Sequence, residues 1–213
     1  NVFAQVFSDM VAALTANDAK GVVANLPYVT SLPYFTTVPH NPIPLDAGTA
    51  AYVNSAYAGY NGGLLVAQSY SMIDAAEVAK RTINFVEGQN AVVIVDEDLT
   101  DLSALGIPSY RQATANDLLV LTSSSFIGTL ADPSNPASVN GVGVPLADQW
   151  VLTEVEQAKV KTATDAYNVT IEAVAAANPN LALVDFKALL IEASVGVQFD
   201  EYVMNTSLVM GGL

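Results

Sequence analysis

No cysteine occurs among the 213 residues, which excludes disulfides, thiolate metal sites and a cysteine nucleophile while leaving the compartment open. Positive charge is nearly as scarce: seven Lys and Arg stand against 21 Asp and Glu, for a formal net charge of −14. Such a surface repels phosphate backbones and anionic lipid headgroups, because no Lys/Arg stripe is present to displace their counterions. Nucleic acid is therefore not an expected partner. No apolar run reaches the ~18 residues that a membrane-spanning helix requires, and no secretory leader is visible. There is one histidine, His40, so any imidazole chemistry within these residues has to run through it.

What is present is an apolar, acid-rich chain, 52% hydrophobic, able to bury one sizeable core or a core with a subdomain. Phe3, Val6, Phe7, Met10, Val11 and Leu14 recur at spacings of three and four, which predicts a helix over about 2–16 with one apolar stripe. Asn17 to Gly21 is expected to end it. Gly21 to Asn25 is short, β-rich and apolar on both faces, the pattern of a parallel strand covered by helices on each side. Pro27 stops the ladder by removing a donor. Leu181 to Phe186 is a second strand of the same character and its natural partner, so the chain reads as one α/β unit carrying a long insertion.

Pro27, Pro33, Pro39, Pro42 and Pro44 predict a stiff, extended connection. Asp46 stands at the start of a helix over about 47–69 with Tyr52, Ala56, Tyr60 and Leu64 on one face, although Gly59, Gly62 and Gly63 weigh against it. Asp74 and Glu77 form a capping box for a helix ending near Arg81. Ala91 to Asp96 is a β-branched strand after a turn signal. Segments 118–126 and 139–144 read as strand or loop, punctuated by Asp132-Pro-Ser-Asn-Pro136 and Asn140-Gly141. Thr153 with Glu156 makes a second capping box, opening a helix to about Ala177 with Val160, Ala163, Tyr167, Ile171 and Val174 inward. A helix over about 187–194 and a loop or hairpin over 195–213 complete the chain.

The residues that bear chemistry are few. His40 lacks a serine in a G-x-S-x-G elbow to activate, and a packed or surface histidine is the plainer reading. Asp96, Glu97, Asp98 and Asp101 place four carboxylates after a strand, where calcium could bind; the spacing lacks the EF-hand glycine and terminal glutamate, and a solvated turn with a helix cap is the competing reading. Asp185 ends a core strand, where carboxylates of open α/β sheets face a site, or it caps the next helix through the amides of Ala188 and Leu189. Tyr52, Tyr57 and Tyr60 read either as a carbohydrate platform or as packing. Asn168-Val-Thr170 and Asn205-Thr-Ser207 match glycosylation sequons, the first on a predicted helix. Taken alone, these residues name no reaction.

Lys20-Gly-Val-Val-Ala-Asn-Leu-Pro-Tyr-Val-Thr-Ser-Leu-Pro-Tyr-Phe-Thr-Thr-Val-Pro39 resembles a segment of the SGNH/GDSL-like hydrolases of Bacteroidetes. So do Arg81-Thr-Ile-Asn-Phe85, Val93-Ile-Val-Asp-Glu-Asp-Leu-Thr-Asp101, Tyr110-Arg-Gln-Ala-Thr-Ala-Asn-Asp-Leu-Leu-Val-Leu121, Ser125-Phe-Ile-Gly128, Val144-Pro-Leu-Ala-Asp148 and Leu183-Val-Asp-Phe-Lys-Ala-Leu-Leu190. They cover nearly the whole chain in order.

The resemblance implies the C-terminal part of a flavodoxin-like, doubly wound parallel sheet with a long mixed α/β insertion: residues 1–39 as helix and strand of the core, 40–153 as an insertion or lid-like subdomain, and 154–213 as the final helix, strand and C-terminal part. It implies ester hydrolysis of a lipid or acylated carbohydrate, with no cofactor and a secreted or outer-membrane-associated location. The family's Gly-Asp-Ser, oxyanion-hole Gly and Asn, and Asp-x-x-His blocks are not found here, so no catalytic residue is assigned and His40 does not take the family's histidine role. They are expected before Asn1 and after Leu213. Asn1 itself is expected to be a boundary rather than a translation start. Tyr28, Thr30 and Phe35 are expected at the pocket rim. The rest of the chain or a partner protein is expected to cover the open strand edge, which is otherwise an aggregation liability. A non-catalytic binding or structural component of an envelope assembly is the alternative.

Overall fold

A computed structural model of the protein describes residues 2–204. Along the chain the elements are α1 (Val2–Leu14), β1 (Gly21–Ala24), α2 (Pro33–Thr36), β2 (Ile43–Leu45), α3 (Ala47–Ser69), α4 (Ala75–Arg81), β3 (Gly88–Asn90), β4 (Val93–Val95), β5 (Tyr110–Gln112), β6 (Leu118–Leu119), β7 (Val151–Leu152), α5 (Glu154–Ala177), β8 (Leu181–Val184), α6 (Phe186–Val195), β9 (Val197–Phe199) and β10 (Tyr202–Met204). The architecture is mixed α/β, and the described strands form five two-stranded sheets. Two compact units result: one takes in the chain up to Pro33 and again from Glu156, and the other runs Tyr34–Val155.

In the first unit β1 and β8 pair in parallel, in register from Gly21 opposite Leu181 to Ala24 opposite Val184. A parallel pair needs a crossover, and α5 leads directly into β8. Asn17 and Asp18, both at positive φ, turn the chain out of α1; short polar side chains tolerate that conformation. The apolar stripe of α1 is buried only in part. Val11 is buried, whereas Val6, Met10 and Leu14 are exposed, and Phe3 packs on Phe7 and on the Tyr167 ring. The strands differ from expectation: Val22 is 69% exposed and Leu183 and Val184 are exposed too, so β1 and β8 are not covered on both faces.

Helix α5 follows its apolar spacing only in part: Ile171 is buried and Val160 and Val174 are half-buried as expected, but the inward face is shifted. Thr164, Asn168, Ile171 and Ala175 are its buried residues, while Ala163 and Tyr167 are exposed. The physical reason is a polar lock described below, in which Asn168 bonds a backbone segment. After α6, β9 and β10 form an antiparallel hairpin; the sequon at Asn205 lies outside the described residues.

The second unit packs Ile83, Val92, Val93, Ile94, Leu119 and Leu146 into its core. β4 pairs antiparallel with β5, β2 with β3, and β6 with β7. The sequence reading misses β2 because Pro42 and Pro44 look like a connection, and β3 because Glu87-Gly-Gln-Asn90 looks like a turn. Pro44 is accommodated because a strand in a two-stranded sheet has a free side on which a missing donor costs nothing. Segment 139–144 makes only isolated bridges, at Val139 and between Asn140 and Val144, and 121–125 is a 3₁₀ turn.

α3 spans the expected residues. Asp46 caps it by accepting from the Thr49 amide at 2.8 Å, and Gly63 lies against Ile107, where an added Cβ would be 3.1 Å from its Cδ1. Its buried residues are Ala50, Tyr57, Leu64 and Ala67, so the inward face is rotated from the expected one, and Tyr52 is 64% exposed. At α4 only half of the predicted capping box forms. Asp74 accepts from the Glu77 amide, but the Glu77 carboxylate turns to Thr100 and Arg81.

Candidate functional site

The chemistry-bearing side chains of the first unit gather where both parallel strands end. β1 runs into Asn25, which is buried. Its amide group donates to Asp185 Oδ1 at 2.8 Å and its carbonyl oxygen accepts from the Lys187 amide at 2.8 Å. Asp185 Oδ1 also accepts from the Ala188 amide at 2.9 Å, so this residue caps α6 while tying the ends of β1 and β8 together. The Asn25 and Ala188 donors hold its carboxyl below the usual carboxylate range.

A second cluster sits in the loop after β1. Tyr28 Oη donates to Asp165 Oδ1 at 2.7 Å, and Lys187 Nζ donates to the same oxygen at 2.7 Å. Lys161 Nζ lies 3.0 Å from Asp165 Oδ2. Both ammonium groups also stand over the Tyr28 ring, 4.3 Å from its centroid for Lys187 and 4.7 Å for Lys161, a cation–π geometry. Donation from Lys187, then Tyr28 and Lys161, pushes the Asp165 carboxyl well down, and the Asp165 carboxylate in turn raises the Lys187 ammonium.

Asn168 supplies the scaffold. Its Nδ2 donates to the Leu26 carbonyl at 2.8 Å and its Oδ1 accepts from the Leu26 amide at 2.7 Å, satisfying one backbone residue from both sides. A buried asparagine engaged at both ends cannot carry a glycan, so the sequon at 168–170 is a structural coincidence. Of the expected rim residues, Tyr28 belongs to the cluster, and Thr30 is half-buried in the 3₁₀ turn Val29–Ser31. Phe35, in the second unit, is half-buried in α2 with its ring edge-on to Tyr34. The sequence reading did not single out Lys161, Asp165 or Lys187, and it took Asn168 only as the start of a sequon. The one available signal was Lys161 and Asp165 four apart on a helix, a spacing that puts them on one face.

In the second unit the acidic run after β4 does not converge. Asp96 turns inward and accepts from Arg111 Nε and from the Asp98 amide. Asp101 accepts from the Ser103 amide at 2.9 Å, and Glu97 is exposed. No group of three or more His, Cys, Asp or Glu side chains among the described residues is placed to hold a metal ion. Arg111 instead bridges two buried carboxylates, with Nη1 and Nη2 on Asp117 at 2.6 and 2.7 Å. Burial would lower its pKa, but Asp117 and Asp96 outweigh that and raise it. His40 is half-buried and its carbonyl accepts from the Val92 amide at 3.1 Å. Tyr57 donates to the Val142 carbonyl at 2.6 Å and Tyr60 to that of Tyr110, so the expected tyrosine row serves packing at two of its three positions.

No family model matches the chain, and no curated protein or solved structure matches it either.

Proposed function

We propose that this chain is a portion of an SGNH/GDSL-type serine ester hydrolase acting outside the cytoplasm on esters of lipids or acylated carbohydrates. The nucleophile, the oxyanion donors and the Asp-x-x-His pair lie outside these residues. The observation that carries the reading is the parallel pairing of β1 with β8, whose carboxyl ends meet at Asn25 and Asp185. In open α/β sheets, ligands bind in the crevice beyond the carboxyl ends of the strands. The reading requires the pair to belong to a larger doubly wound sheet, and the exposed Val22, Leu183 and Val184 are surface that further layers of such a sheet would bury.

On this reading the reaction is acyl transfer. A histidine takes the serine proton, an aspartate orients the imidazole, and preset donors meet the oxyanion. Residues 1–204 contribute the floor of the site: Asn25 and Asp185 fix the two strand ends, and Asn168 fixes the loop at Leu26 that carries Tyr28.

A chimera tests this. Residues 1–204 replace the equivalent segment of an active full-length esterase of the family, and hydrolysis of 4-nitrophenyl butyrate is followed. Turnover that disappears when the serine of the Gly-Asp-Ser block is changed to Ala is the expected result. A chimera that melts cooperatively with native-like circular dichroism yet hydrolyses no ester overturns the reading in favour of a non-catalytic envelope component.

A further inference from the structure

The second unit contains a cavity of about 530 Å³ between β2, the first half of α3 and the 128–144 loop, within the ~300–1,000 Å³ range of small-molecule sites. Ile43, Leu45, Val53, Val139, Val142 and Val144 supply apolar wall. No charged side chain among the described residues lines it.

Its walls are fixed by bonds within the unit. Tyr57, which lines it, is held on the Val142 carbonyl. The Ser138 hydroxyl is engaged with the Asp132 and Asn135 carbonyls at 3.0 and 2.8 Å. Thr49 Oγ1 donates to Asp46 at 2.8 Å. The loop closes on itself through the Gly141 amide to the Val144 carbonyl at 2.7 Å and the Val144 amide to the Val139 carbonyl at 3.0 Å. Gly143 approaches the Ala137 carbonyl so closely that a Cβ there would fall 1.9 Å from its oxygen. Among the lining polar groups, the exposed Tyr52 hydroxyl and the Asn135 side-chain NH₂ are left uncommitted by these bonds, and both are neutral.

We infer that this cavity is a binding site for an uncharged amphiphile, an apolar chain or ring ending in one neutral hydrogen-bonding head. The apolar wall gains from burying hydrocarbon, and Tyr52 and Asn135 offer a hydroxyl and an amide to a hydroxyl or carbonyl head. An anionic head finds no cation in the lining and meets a chain of net charge −14.

The test uses the whole chain and the neutral dye N-phenyl-1-naphthylamine, displaced by decanol or by decanoate above pH 7. Saturable dye binding is expected, with decanol displacing it at concentrations about ten-fold or more below those needed for decanoate. Ala56 lines the cavity from an exposed position on α3. Ala56→Trp fills the space and Ala56→Glu places a charge in it, and each is expected to raise the dye Kd about ten-fold or more at unchanged melting temperature. Dye binding unaffected by both substitutions places the dye elsewhere, on the exposed apolar residues of the other unit, and overturns the inference. Equal displacement by decanol and decanoate overturns the proposed selectivity for a neutral head.

Discussion

The side chains of Asn25 and Asp185 are 160 positions apart in sequence and 2.8 Å apart in space. One follows β1 and the other follows β8, so this bond, beside that of the Asn25 amide to the Val184 carbonyl at 3.2 Å, closes the parallel pair at the end where the strands give way to loops. Asn25 meets that partner and the Lys187 amide together, which makes it a hub joining the end of β1 to the start of α6 rather than a local turn residue.

Replacing Asn25 with Ala is expected to loosen that corner. It strands the Lys187 amide and removes one donor from Asp185, at a cost of ~1–3 kcal/mol for unsatisfied buried groups. The Lys187 and Ala188 amides should then exchange roughly 5- to 100-fold faster, read by hydrogen–deuterium exchange. Asn25→Asp should be worse at pH 7 than at pH 4, because it sets a second carboxylate against Asp185. Unchanged exchange in both variants would remove Asn25 from its role as a hub.

The strand pair itself is legible in the sequence because Gly21 to Asn25 and Leu181 to Phe186 are short apolar runs bounded by breakers. What covers them is not legible from spacing. α1 has a clear three-and-four stripe, yet Met10 and Leu14 are exposed, because periodicity shows that a face can be buried and not that a neighbour buries it. α5 fails in the opposite sense: Thr164 and Asn168 look like surface residues and are buried. A polar side chain earns burial through partners distant in sequence, and Leu26, the partner of Asn168, is 142 positions away. Proline concealed β2, and the acid run after β4 concealed an inward Asp96 whose partner, Arg111, lies on the neighbouring strand.

Arg111 holds Asp96 and Asp117 in the interior of the second unit. Arg111→Met leaves the buried Asp117 without a cation and Asp96 with only the half-exposed Lys80, 3.7 Å away, and a loss of ~3–5 kcal/mol in urea unfolding at pH 7 is expected. Arg111→Lys should recover only part of it, since a point charge cannot reproduce the fork on Asp117. The pH dependence follows from Asp117. Burial would raise its carboxyl, but Arg111 and the Thr114 donors more than reverse this and lower it. The folded pKa therefore lies below the unfolded one, so the contribution is present above pH ~4 and lost as pH falls through the folded value. Arg111→Met should move the acid midpoint upward. An unmoved midpoint would mean that the network does not govern acid stability.

Tyr57 gives the opposite limb. Burial, followed by the neighbouring Tyr110 and Tyr60, pushes its phenol well above the usual value, and burial raises Tyr60 as well. A folded pKa above the unfolded one means that stability is full below pH ~10 and falls as pH rises past it. Urea midpoints should drop between pH 9 and pH 11.5. Tyr57→Phe should lose ~1 kcal/mol at pH 8, where only the bond to Val142 is missing, and should show a shallower alkaline decline. A decline as steep as that of the parent protein would assign the alkaline loss to other groups.

Two glycines of the second unit should respond to the same substitution with opposite sign. At Gly143 an added Cβ would lie 1.9 Å from the Ala137 carbonyl oxygen, and backbone cannot swing aside as a flexible side chain would. Gly143→Ala therefore has to push the 132–138 turn off the loop that closes the cavity, at ~1–3 kcal/mol for an overpacked contact, and binding of the neutral dye should weaken with it. Gly62 lies inside α3 with nothing within 4 Å of its added Cβ. Gly62→Ala should stabilise by ~0.5–1 kcal/mol, because alanine gives up less backbone freedom on folding than glycine. Urea midpoints of the two variants, measured beside the parent protein, decide the matter: a Gly143→Ala variant as stable as the parent would show that the turn gives way freely and that the cavity wall is not fixed.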